Sequence, residues 1–141
     1  MKLRRFGKHA CGVLALALIS CLSAPAMDDP TLSEIMGAMG SRLKGIQQHV
    51  ADPAQNELTA SFAEELLKLV NQSVVLVPSS LDRASKDYAA NLHRYRKLSI
   101  QLQQIVNDLH LALLENRNED AAKLVQDIIA ARKVGHGDFR K

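Results

Sequence analysis

Residues 31–50, TLSEIMGAMGSRLKGIQQHV, decide the class of fold. Thr31-Leu32-Ser33-Glu34 reads as a capping box, with Glu34 reaching back to the cap three residues before it. From there Leu32, Ile35, Met36, Met39, Leu43, Ile46 and Val50 recur at steps of three and four. That spacing puts them on one stripe of an amphipathic helix, which Pro53 is expected to end.

The pattern recurs three more times. A second helix is expected from about Gln55 to Val77, with Leu58, Phe62, Leu66, Leu69 and Val70 on its apolar face. Its last stretch, Val74-Val75-Leu76-Val77, is β-branched and reads locally as strand, but it is too short before Pro78 to change the class. Ser80 reads as the cap of a third helix reaching about Glu115, along Ala84, Tyr88, Leu92, Tyr95, Leu98, Leu102, Ile105, Leu109 and Leu113. Asn116-Arg117-Asn118 is a short polar break. Asn118 then reads as the cap of a fourth helix, with Glu119 and Asp120 in its first turn. That helix aligns Ala121, Leu124, Ile128, Ala131, Gly135 and Phe139. Four amphipathic helices with short connections predict an all-α domain, an antiparallel up-down-up-down four-helix bundle over residues 27–141.

Composition agrees. The apolar fraction is 47%, aromatic residues are only 4%, and tryptophan is absent, a balance that suits packed helices better than sheets. Seven glycines and four prolines are too few for a turn-rich β protein. With 141 residues, one domain preceded by a removable leader is expected.

The leader is residues 1–26. Lys2, Arg4, Arg5 and Lys8 form a charged start, and an uncharged stretch runs from Ala10 to Ala26. Ala24-Pro25-Ala26 supplies the small residues that a signal peptidase reads. The apolar core from Cys11 to Leu22 is shorter than the roughly 20 residues a bilayer-spanning helix needs. Cleavage after Ala26 removes four of the 18 basic side chains and none of the 15 acidic ones, so a net charge of +3 becomes −1. A nucleic-acid partner thereby loses its compositional support. Cys11 and Cys21 leave with the leader. Leu18-Ile19-Ser20-Cys21 also resembles a lipobox, and acylation of Cys21 would anchor the chain to a membrane instead. Both routes lead to the periplasm, and the soluble product starting at Met27 is the preferred reading.

Catalytic templates are missing from residues 27–141. There is no cysteine, no Gly-rich phosphate loop, no His-Glu-x-x-His and no Glu-x-x-His pair. No Cys-x-x-Cys-His is present for covalent haem attachment. No nucleophile–base or carboxylate pair can be assembled, so an enzyme is not expected. A methionine near the start of the first helix and a histidine near the end of the last remain. In an up-down-up-down bundle those helices are antiparallel neighbours, so Met36 and His136 meet at one end of the bundle. A thioether and an imidazole so placed are the axial pair of Met/His cytochromes. Met39 fits an ordinary core role, and no role is assigned to His49, His93 or His110.

Two segments carry a family likeness. Met36-x-x-Met39-x-x-x-Leu43-Lys44 looks like a ligand methionine followed by leucine positions and a lysine. Arg132-Lys133-Val134-Gly135-His136-Gly137-Asp138-Phe139-Arg140 looks like a closing motif in which an arginine stands four residues before the ligand histidine and an aromatic–arginine pair follows it. In both, the chain resembles the soluble cytochrome b562 family, periplasmic four-helix bundles that bind one haem b non-covalently. The resemblance implies Met36 and His136 as axial ligands of one haem iron. It also places Arg132 and Arg140 where a guanidinium can pair with a propionate. Tyr95 and Leu98 are the nearest matches to the aromatic residues that the family sets against the haem. Gly135 and Gly137 depart from the family, and each costs roughly 1 kcal/mol in a helix interior. The last turn is therefore expected to fray without ligand. The function implied is electron transfer with an unidentified redox partner protein, and the alternative is a haem-free bundle that binds a protein or envelope component.

Overall fold

The structure is a computed structural model that describes residues 30–140. The leader, Cys11, Cys21 and the cleavage site lie outside the described residues. Four helices make up most of what is described: α1 (Leu32–His49), α2 (Asn56–Val75), α3 (Tyr88–Leu114) and α4 (Asn118–Phe139). No strand occurs among the described residues, and Val74 and Val75 finish α2 as helix.

The capping box at the start of α1 is present. Thr31 Oγ1 accepts from the Glu34 amide at 3.3 Å, and a Glu34 carboxylate oxygen accepts from the Thr31 amide at 2.7 Å. Hydrogen bonds from the Thr31 hydroxyl and then the Thr31 amide hold the Glu34 carboxyl below the usual glutamate range. At the other end α1 stops at His49, and Pro53 opens a single 3-10 turn in which the Asp52 carboxylate accepts from the Ala54 amide.

Three expectations are corrected. The buried face of α2 is Asn56, Thr59, Ala60, Ala63, Leu66, Val70 and Ser73, whereas Leu58 is 42% exposed and Phe62 and Leu69 are only half-buried. Small residues line that face because α2 packs against both α1 and α3. The third helix begins at Tyr88, and Ala84 is exposed. In residues 78–88 local bonds compete with helix: the Asp82 carboxylate accepts from the Ala84 amide and the Ser85 hydroxyl accepts from the Asp87 amide. Asn118 does not cap α4. Its side chain donates to the Val50 carbonyl at 2.9 Å and to Asn56 Oδ1 at 2.7 Å, and accepts from Asn56 Nδ2.

The α3–α4 turn is as tight as expected. Asn116 takes φ +57°, a left-handed conformation that asparagine tolerates. The Arg117 amide returns to the Ala112 carbonyl and the Asn116 amide to that of Leu113, which satisfies the last carbonyls of α3. Asn56 Nδ2 also donates to Asn116 Oδ1, so the end of α1, the start of α2 and this turn share one polar network.

Consecutive helices pack on each other, while α1 and α4 barely touch. The apolar stripe of α1 is buried at Ile35, Met39, Leu43, Ile46 and Val50. In α4 the buried residues Ala121, Val125 and Ile128 all fall in its first half. Beyond Ile128, residues Ala131, Gly135, His136 and Phe139 are only half-buried.

Candidate functional site

That unfinished packing opens on a cavity of about 1190 Å³. Small-molecule and cofactor sites usually occupy roughly 300–1,000 Å³, so the space is ample for a cofactor. Its α1 wall carries Met36, Met39, Gly40 and Leu43, and its α3 wall carries Tyr95, Leu98 and Leu102. The α4 wall carries Ile128, Ala131, Arg132, His136 and Arg140. All four residues singled out from the sequence, Met36, His136, Arg132 and Arg140, therefore line one cavity.

Met39 lines it too, but the two methionines differ in burial. Met39 belongs to the packed core at 9% exposure, whereas Met36 is half-buried and packs against that core from its edge. Burial, followed by the positive charges of Arg132 and Arg140, holds the His136 imidazole below the ordinary histidine range. Both effects favour the uncharged ring, the form whose free nitrogen lone pair can bind a metal.

The last turn of α4 does not fray: the helix continues through Gly135 and Gly137 to Phe139. Three contacts secure it. The Ser80 hydroxyl donates to the Phe139 carbonyl at 2.7 Å, and Arg94 pairs with Asp138 at 2.7 Å. The Phe139 ring stands edge-on to Tyr95, with centroids 5.5 Å apart and planes at 82°. Tyr95 is itself fixed, 4% exposed and donating its hydroxyl to the Ser73 carbonyl at 2.7 Å. Burial pushes its phenol above the usual range.

Sequence reasoning took Ser80 for a helix cap and missed the clamp it forms across the site. Ser80 and Phe139 are 59 positions apart, and only Pro78 just before Ser80 signalled that the chain turns there. Among the described residues no cluster of three or more His, Cys, Asp or Glu side chains is placed to hold a metal ion. No described helix is long and apolar enough to cross a membrane. No family model matches the chain, and no curated protein or solved structure does.

Proposed function

We propose that this protein is a periplasmic electron carrier, a b-type cytochrome of the soluble cytochrome b562 kind. It holds one non-covalent haem b between Met36 and His136, in an antiparallel up-down-up-down four-helix bundle. One observation carries the reading. Met36 from the second turn of α1 and His136 from the last turn of α4, 100 positions apart, line one cavity together with Arg132 and Arg140.

The residues present fit the group. A neutral imidazole and a thioether are an axial pair for haem iron. Leu43, Leu98, Leu102 and Ile128 give the cavity apolar walls. Bound haem supplies an iron that takes up and returns one electron. Met36 and His136 would hold the iron, Arg132 and Arg140 would pair with propionates, and the apolar walls would exclude water and help set the potential. The chain acts as a carrier for a redox partner protein, not as an enzyme.

The up-down-up-down arrangement draws support from both ends of the molecule. Helices adjacent in sequence pack together, and the connection after α1 is tied to the α3–α4 turn through Asn56 and Asn118. Away from that network, Ser80, before α3, is tied to Phe139 at the end of α4. Export through the 1–26 leader completes the reading. An intact mass starting at Met27 is expected from periplasmic material, and an acylated Cys21 would replace it with the membrane-anchored form.

Titration with haemin tests the function directly. One haem per chain and a low-spin spectrum that sharpens on reduction are expected. A protein that takes up no haemin is instead the haem-free bundle that binds a protein or envelope component.

A further inference from the structure

The described residues carry 13 Lys and Arg against 13 Asp and Glu, so this body is neutral as a whole. The charges are nonetheless sorted. The part nearer the cavity comprises the first halves of α1 and α3, the second half of α2, the second half of α4 with Arg140 after it, and the connection 76–87. It holds nine of the cations and four of the anions, and the remainder holds four cations and nine anions. Arg94, Arg96, Lys97, Arg132, Lys133 and Arg140 gather on the first turns of α3 and the last turns of α4, and all six are exposed. Among the described residues only Arg94 of the six has an ion-pair partner, Asp138. Val134, 47% exposed, stands among the α4 cations.

An electron carrier must bring the edge of its cofactor close to its partner, so charge around the cofactor's mouth governs encounter more than net charge does. Propionates offset part of this excess but not its sign, since nine cations stand against four anions. We infer that the rim of the cavity is the docking face for a redox protein whose own docking surface is acidic, an inference that rests on the cytochrome reading above. An anionic bilayer would also attract cations. A surface-lying helix, however, needs an apolar face for the bilayer, and the apolar stripes of these helices pack into the core.

The test uses purified, haem-loaded, reduced protein and two one-electron oxidants of opposite charge. The electron passes from ferrous haem to anionic hexacyanoferrate(III) or to cationic tris(phenanthroline)cobalt(III). Raising the salt from low to high concentration should slow the anionic reagent by roughly tenfold and speed the cationic one. The double variant Arg96→Glu/Lys97→Glu, at two positions that do not line the cavity, should flatten the response to the anionic reagent. Salt-independent rates for both reagents, as net neutrality alone would give, overturn the inference. Binding to phosphatidylglycerol vesicles at physiological salt also overturns it, in favour of a lipid surface. Absence of haemin uptake, seen separately in the loading titration, ends the cytochrome reading and this inference together.

Discussion

A proton can displace iron from an imidazole but has nothing to gain at a thioether. Acidifying the haem-loaded protein should therefore release His136 before Met36, at a pH below the ordinary histidine range because the iron competes with the proton for the ring nitrogen. Without haem, burial and then Arg132 and Arg140 already hold the imidazole below that range. The same shift makes a stability statement for the haem-free protein. The unfolded chain takes up the proton first, so the contribution of His136 is present above its unfolded pKa and is lost as pH falls through the lowered folded one. Arg132→Gln removes one of the repelling cations. The midpoint of His136, followed by NMR of its ring protons without haem, should move to higher pH. Met36→Ala should open an axial position and shift the haem spectrum toward high spin. Met39→Ala should cost roughly 2 kcal/mol or more of stability, as the loss of a buried methionine side chain does, and leave the low-spin spectrum intact. The opposite result, with Met39→Ala alone abolishing the low-spin signal, would exchange the roles of the two methionines. His136→Ala should weaken haemin binding more than Met36→Ala, because imidazole is the stronger donor.

Helix starts and stops were legible wherever a cap acts within its own turn, as at Thr31 and Glu34. They were misread where a polar side chain found a distant partner, as Ser80 and Asn118 do. Spacing also misplaced the face of α2, because a helix packed on two sides buries small residues that hydropathy alone does not select. The glycines of α1 separate two consequences of packing. A Cβ at Gly40 would meet nothing within 4 Å, so Gly40→Ala should raise the haem-free stability by roughly 0.5–1 kcal/mol through backbone entropy. At Gly45 a Cβ would lie 3.0 Å from two atoms of the Phe62 ring, which is half-buried and under the Arg42 guanidinium. Gly45→Ala should therefore gain nothing, since displacing that ring offsets the helix propensity. Thermal unfolding of the two variants by circular dichroism reads the contrast.

At the scale of the molecule, α1 and α4 share little direct contact and face a common cavity. A ligand held by one residue from each would join them. The haem-free protein should still be predominantly helical by far-UV circular dichroism, because the stripes of consecutive helices bury one another. Haem at about a thousandfold excess over its dissociation constant should add roughly 4 kcal/mol to apparent stability. The gain in amide-exchange protection should concentrate in the first turns of α1 and the last turns of α4, while the polar network around Asn56 and Asn118 changes little. Uniform extra protection along all four helices would contradict a ligand seated at that end.

The helical class, the four helices and the capping box were legible in the sequence, because periodicity and capping act within a few residues of chain, whereas Arg132 and Arg140 were picked out beside Met36 and His136 only through a family resemblance. Only the tertiary structure decided that Met36, His136, Arg132 and Arg140 share one cavity. It alone also showed that Ser80, Arg94 and Tyr95 secure the glycine-flanked turn that carries the histidine. Those outcomes depend on contacts between residues tens of positions apart, which exist only once the helices have packed.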